Sequence, residues 1–278
     1  MKIKLVSEIG INHNGDIELA KKLIKKSKDV GMDYVKFQKR TIDLVYTNEE
    51  LDGYRESPWG TTFRQQKEGL EFGKKEYDII DQYCKEMGIQ WFASPWDVNS
   101  IEFLEQYNPP YLKIPSALVT HREYLEKMKS TDIPLVMSTG MSTKKQVETA
   151  MDILGPNLEV VLHTTSTYPC KVSELNLSKI RMMKYCYGHY YKIGYSNHSP
   201  SVMPILFAMI LGAEFIETHI THDRAAYGSD QSSALEKRQL ETVCEWRDEI
   251  YEALGEGEWK VFDSEIPVMK KLRKYYDF

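Results

Sequence analysis

The run Tyr191–Ile220, YKIGYSNHSPSVMPILFAMILGAEFIETHI, decides the fold. A β-rich run, Tyr191–Ser196, leads into an apolar stretch, Val202–Ala213, and then into a second β-rich run, Phe215–Ile220. The apolar stretch is shorter than a membrane span and reads as a buried helix. Strand, helix and strand in this order form one βαβ unit with parallel strands. Such strands lie about 5 Å apart. Their C-terminal ends carry His198 and His219, so the two imidazoles can converge.

The same alternation extends over the whole chain. Further strands are predicted at Lys4–Ile9, Tyr34–Lys39, Gln90–Ser94, Tyr111–Pro115, Pro134–Thr139 and Glu159–Thr165. Helical periodicity follows them, as in Ile17–Val30, Lys75–Glu86 and Gln146–Leu154. Gly31, Gly88, Gly155 and Gly212 read as helix C-caps. Eight βα units point to an α/β protein with a (β/α)8 TIM barrel. An open doubly wound sheet is the alternative. It would place a glycine-rich phosphate loop after its first strand, and EIGINHNGD has no GxGxxG. We read one barrel domain over residues 1–265 and a C-terminal tail over 266–278, with the tail helix covering the barrel floor. The long connection from Arg40 to Gly73 reads as a lid over the site.

The 278 residues fit one barrel, and 42% hydrophobic residues suffice for its core. A net charge of −5 argues against general nucleic-acid binding. Cys84, Cys170, Cys186 and Cys244 are widely spaced without a CxxC, as expected of free thiols in a reducing compartment. No signal peptide or membrane span is read, so a cytoplasmic enzyme is expected.

Inward side chains alternate along a strand, and the upper end of a barrel holds its site. On that parity Glu8, Lys36, Gln38, Lys113, Ser116, Ser138, His163, Ser196, His198, Glu217 and His219 are candidates. His222 has the opposite parity to His219 and should point elsewhere. Two histidines suggest a metal, completed by water, a carboxylate or a substrate oxygen. Two lysines suggest an anion, although each could instead pair with a structural carboxylate. Serines near strand ends could be turn residues or hydroxyl donors to a phosphate. No GxSxG surrounds any of them, which argues against a serine nucleophile.

At these residues the chain resembles the N-acetylneuraminate (sialic acid) synthase family. The matching segments are EIGINHNGD, YVKFQ, WFASPWD, YLKIPS, STGMS, VLHTTSTYP, GYSNHS, IETHIT and YGSDQ, in family order. The resemblance implies condensation of phosphoenolpyruvate with an N-acylated amino sugar, such as N-acetylmannosamine, to a nine-carbon 2-keto acid and phosphate. It implies a divalent metal on His198 and His219, Mn2+ before Mg2+ or Co2+, and a homodimer. It places Lys113, Ser116, Ser138, Ser166 and Ser196 at the phosphate and Lys36 and Ser94 at the carboxylate. Gln38, Tyr168 and Asp230 fall on the sugar-facing wall, and Glu8 near the reacting centre.

The chain departs from the pattern in three places. Leu118 stands where the family often has Glu, which questions a second acid or base. Ser166 replaces an Asn. The C-terminal antifreeze-like domain of many members does not follow, so sugar recognition is expected to fall to the Arg40–Gly73 loop, the tail or a partner subunit. Another aldose as acceptor, or a non-catalytic binding remnant, are the competing readings.

Overall fold

The side-chain alternation read above closes on itself in the computed structural model, which describes residues 3–273. The strands are β1 (Lys4–Gly10), β2 (Tyr34–Lys39), β3 (Tyr54–Ser57), β4 (Gly60–Thr62), β5 (Gln90–Pro95), β6 (Leu112–Ile114), β7 (Leu135–Ser138), β8 (Leu158–His163), β9 (Lys192–Asn197) and β10 (Phe215–His219). Eight of them form a closed parallel barrel in the order β1-β10-β9-β8-β7-β6-β5-β2, so the open-sheet alternative is excluded.

The barrel interior explains where the site must be. Val6, Tyr34, Phe92, Val136, Val160, Leu162 and Phe215 form a separate apolar cluster, with Tyr111 packed against it. Tyr34, Tyr111, Phe92 and Phe215 meet there in ring contacts of 5.7–6.2 Å. Two residues further along, on the same face, the polarity switches. Val6 is followed by Glu8, Tyr34 by Lys36, Phe92 by Ser94, Tyr111 by Lys113, Val136 by Ser138 and Phe215 by Glu217. All six polar residues are buried. Outward residues of the strands, such as Leu5, Val35, Leu135 and Ile216, join a second, larger cluster beneath the helices.

Helix ends follow local chemistry. Asp16 caps helix Ile17–Val30 by accepting from the Glu18 and Leu19 amides, and Gly31 closes it in the left-handed region. Gly88 and Gly155 also close helices, but helix Met203–Ile210 is capped by Leu211, with Gly212 one position beyond.

Three expectations need correction, while the Arg40–Gly73 connection, read as a lid, has structure of its own: helices Ile42–Val45, Asn48–Asp52 and Phe63–Leu70 and the β3-β4 hairpin. Its signals were legible as capping boxes, Thr47 with Glu50 and Thr62 with Gln65. Helix Met203–Ile210 is buried on one side only, because Phe207 and Ile210 face outward. Helix Ile266–Leu272 leaves Val268 and Leu272 exposed and does not cover the floor, which the aromatic layer already fills. Residues 274–278 of the proposed tail lie outside the described residues. His163 faces away from the barrel axis, since Val160 and Leu162 set the inward parity of β8; its Nε2 meets the Leu175 carbonyl at 2.8 Å. No helix among the described residues is long and apolar enough to cross a membrane.

Candidate functional site

The polar layer opens into a cavity at the C-terminal end of the barrel. Glu8, Lys36, Gln38, Ser94, Lys113, Ser116, Ser138, Ser166, Tyr168, Ser196, His198 and His219 all line it. Asp230 stands one layer back, its Oδ2 3.7 Å from His219 Nδ1. His222 is exposed, away from the cavity.

At the bottom of the cavity lie two lysines and two carboxylates. Lys36 Nζ is 2.7 Å from Glu8 Oε2, 3.7 Å from Glu217 Oε1 and 3.1 Å from Ser94 Oγ. Lys113 Nζ is 3.6 Å from the same Glu217 oxygen, which also accepts from Ser196 Oγ at 3.1 Å. The lysines therefore have carboxylate partners, and their closeness alone does not require an anion. Burial and the two partners set their proton affinities differently. Burial lowers both, but Glu217 and Glu8 together raise Lys36 above its ordinary value. Lys113 has only Glu217 at close range and is brought down to about 8. Burial opposes ionisation of Glu217, yet Lys113 and Lys36 outweigh it and hold the carboxyl at about 2.

Glu217 received no role from sequence because parity alone does not show how two lysines share one carboxylate. It supplies a second carboxylate in the cavity. Leu118 does not enter the cavity; it packs against the outer core while Ala117 lines the wall. Trp96, Pro115 and Met141 were also missed as lining residues. Trp96 lies inside the WFASPWD string, but nothing in the string marks its indole as facing the cavity.

Gln38 Nε2 donates to Glu8 Oε1 at 2.7 Å, while its Oε1 accepts from Arg40 Nη2. Gly10 permits this approach: it has φ +53°, and a Cβ there would sit 3.0 Å from Gln38 Nε2 and 3.1 Å from Glu8 Oε1.

On the β6–β8 side, hydroxyls converge. The Gly140 amide donates to Ser116 Oγ at 3.0 Å, and Ser138 Oγ is buried without a partner. A Cβ on Gly140 would meet Ser166 Oγ at 2.1 Å, Ser116 Oγ at 2.8 Å and Thr164 Cγ2 at 3.0 Å. Gly140→Ala should therefore push the serines apart without backbone strain. We expect it to raise the KM for an oxyanion substrate bound there by about a hundredfold, as a displacement near 1 Å does. Steady-state kinetics, with circular dichroism as the folding control, checks this.

The two histidines approach with ring centroids 5.5 Å apart. His198 Nδ1 donates to the Thr165 carbonyl at 2.7 Å, which leaves Nε2 as a lone pair, met by the Tyr168 hydroxyl at 3.1 Å. Burial, with help from His219, drives His198 down to about 3, so it is neutral. His219 Nδ1 is buried with no hydrogen-bond partner. Among the described residues no group of three or more His, Cys, Asp or Glu is arranged to hold a metal. The pair could still supply two imidazole ligands if water or substrate oxygens complete the shell.

The loops above this cavity touch. Trp59, between β3 and β4, packs edge-on against Tyr227 from the β10 connection at 5.9 Å, and Gln66 Nε2 donates to the Tyr227 hydroxyl at 2.5 Å.

Known proteins resemble this chain in sequence and fold. N-acetylneuraminate-9-phosphate synthase of Drosophila melanogaster is 35% identical over 87% of this chain, which spans 66% of that protein. The Homo sapiens protein of the same name is 34% identical over 97% of the chain and 76% of its own length. N,N'-diacetyllegionaminic acid synthase of Legionella pneumophila is 30% identical over 97% and 78%. In three dimensions, the N-acetylneuraminic acid synthetase of Leptospira borgpetersenii, solved with citrate, superposes with a TM-score of 0.84 at 28% identity, covering 99% of this chain and 94% of that one. The NeuB family model matches residues 23–259. With named relatives that are synthases and a match over most of its length, the chain belongs to the NeuB family.

Proposed function

We propose that the chain condenses phosphoenolpyruvate with the open-chain aldehyde of an N-acylated amino sugar, giving a 2-keto sugar acid and phosphate. The observation that carries this reading is the joining of two kinds of site in one cavity. A hydroxyl-lined niche (Ser116, Ser138, Ser166) adjoins a buried Lys–Glu cluster, and two imidazoles face it from the ends of β9 and β10.

In this reading the serine hydroxyls and Lys113 hold the phosphate, and Lys36 with Ser94 holds the carboxylate. Both ends of the enol are then fixed, which exposes C3 toward the aldehyde carbon. The new C–C bond takes the C2–C3 π electrons and leaves C2 cationic, while the aldehyde C=O pair moves onto its oxygen, which gains a proton to become a hydroxyl. Water adds at C2 and loses a proton, and the tetrahedral intermediate expels phosphate by C–O cleavage. Glu8, held with one oxygen on Lys36 and the other on Gln38, is positioned as the base toward that water. His198 and His219 would hold a divalent metal, which as a Lewis acid polarises the aldehyde oxygen. Manganese as that metal and a homodimer rest on the family resemblance, and a cytoplasmic setting rests on the widely spaced cysteines read as free thiols.

The test is a panel of amino sugars and other aldoses, each with and without metal, followed by phosphoenolpyruvate loss and phosphate release. Turnover is expected only when phosphoenolpyruvate, metal and an N-acylated amino sugar are all present. Turnover of non-amino aldoses alone would replace this reading with a related keto-acid synthase; binding without turnover for every sugar would replace it with a binding remnant.

A further inference from the structure

Glu8, Gln38 and Arg40 form a hydrogen-bonded chain that leads out of the cavity. Gln38 Nε2 donates to Glu8 Oε1 at 2.7 Å, and Gln38 Oε1 accepts from Arg40 Nη2. Glu8 and Gln38 line the cavity, whereas Arg40 stands behind them, directly after β2. Among the described residues no other group donates to Gln38 Oε1. Arg40 is itself held. Its guanidinium lies over the Trp96 ring at 4.4 Å, the Tyr46 hydroxyl hydrogen-bonds to it, and its backbone amide donates to Glu71 Oε1 at 3.0 Å. The Tyr77 hydroxyl donates to the Gln38 carbonyl at 2.9 Å, which pins the backbone between the two side chains.

The chain has a direction. A glutamine amide can present either its oxygen or its NH2 to a neighbour, because the two ends are alike in shape. A carboxylate accepts only, so it selects the NH2 end. In the proposed reaction Glu8 takes a proton from water, and a carboxylic acid can donate. An unheld amide could then turn its oxygen to Glu8 and keep that proton there. A guanidinium has donors and no acceptor. Arg40 therefore requires the oxygen end at all times, and the NH2 end stays on Glu8 whether or not the carboxyl carries a proton. Oε1 then faces the Gln38 donor and Oε2 the Lys36 ammonium at 2.7 Å. Neither neighbour accepts the proton, so it passes to substrate or solvent.

We propose that Arg40 is a positioning residue for the reaction: by holding Gln38 Oε1 it locks the amide, keeps Gln38 a donor to Glu8 and returns Glu8 to an acceptor after each turnover. This rests on the synthase reading above, in which Glu8 is the base toward water. Arg40 meets no substrate itself.

The assay uses phosphoenolpyruvate, Mn2+ and the amino sugar that turns over in the panel above. Arg40→Met should lower kcat about tenfold and leave the KM for phosphoenolpyruvate within about twofold. Arg40→Lys keeps a side chain that only donates and should recover most of kcat. Arg40→Gln should not, since its amide can donate or accept at Gln38. In a Gln38→Leu background Arg40→Met should cost no more than about twofold further, because its path to Glu8 is already cut. A second tenfold loss there, of about the size seen alone, would overturn the proposal. So would a raised KM with kcat unchanged, or an Arg40→Gln variant as active as the native protein. The Gln38 side-chain amide, identified by NMR through its loss in Gln38→Leu, gives a readout independent of turnover. Its protons should exchange slowly in the native protein and in Arg40→Lys, and about tenfold faster in Arg40→Met. If no sugar turns over, the synthase reading fails; faster exchange in Arg40→Met still supports the lock, and unchanged exchange overturns it.

Discussion

Lys113→Met is expected to lower kcat/KM for phosphoenolpyruvate about 10^3-fold, the scale of removing a positioned charge from a water-excluded site. The same change should lower stability by about 3 kcal/mol, because it strands a buried charge. In the native cavity Lys36 and Lys113 balance Glu8 and Glu217, with Lys113 3.6 Å from Glu217. Without Lys113, Lys36 must serve both carboxylates, although it is already committed to Glu8 at 2.7 Å. Glu217→Gln in the Lys113→Met background separates the two effects. The glutamine removes the stranded charge and can still accept from Ser196 Oγ, so most of the lost stability should return. Activity should not return, since the cation that would meet the phosphate is still missing. Thermal melts and steady-state kinetics on the same samples read both. Recovery of kcat/KM in the double variant would show that Lys113 acts only by neutralising Glu217.

Much of this cluster is legible in the sequence because a barrel strand imposes a simple rule. Apolar inward residues fill the lower layer, and a polar residue two places later reaches the site. Val6 to Glu8, Tyr34 to Lys36 and Tyr111 to Lys113 all obey it. His163 was misread because polarity near a strand end was taken as enough. Its parity places it beneath the helices, where its Nε2 meets the Leu175 carbonyl. Glu217 had the right parity, but its importance comes from the barrel closing β10 against β1 and from lysines on two other strands, β2 and β6. Periodicity within one strand holds no information about that. Gly140 is a similar case. Its need for a missing side chain arises from Ser116 and Ser166, which arrive from other connections. The segment 40–73 was open to a closer reading, because its capping boxes are local signals. Its contact with Tyr227 is not local, and only the fold brings the two connections together.

Replacing both His198 and His219 with alanine should have the largest effect, a loss of turnover on the order of 10^4-fold with the fold retained, as expected if a charge-stabilising metal is lost. The four buried ionic groups, Lys36, Lys113, Glu8 and Glu217, cancel formally. Phosphoenolpyruvate is multiply anionic, so its entry leaves the cavity negative unless a further cation enters with it or a group takes up a proton. Burial of uncompensated charge is costly at this depth. The neutral His198 presents Nε2 to the cavity, and His219 keeps an unpartnered buried nitrogen beside Asp230. Both imidazoles thus offer a nitrogen to a metal, and the neutral His198 cannot itself supply the missing charge. The decisive readout is metal binding. Calorimetric titration with Mn2+ should show one site in the native protein, strengthened by phosphoenolpyruvate. The double variant should lose that affinity by about a hundredfold or more, and each single variant should fall between. Circular dichroism and the melting curve should barely move, because the histidines make few bonds that the fold needs; His198→Ala removes one to the Thr165 carbonyl. If the double variant binds Mn2+ as the native protein does, the metal lies elsewhere. If it binds none and still turns over, the aldehyde needs no metal, and a proton entering with the substrate must balance its charge instead.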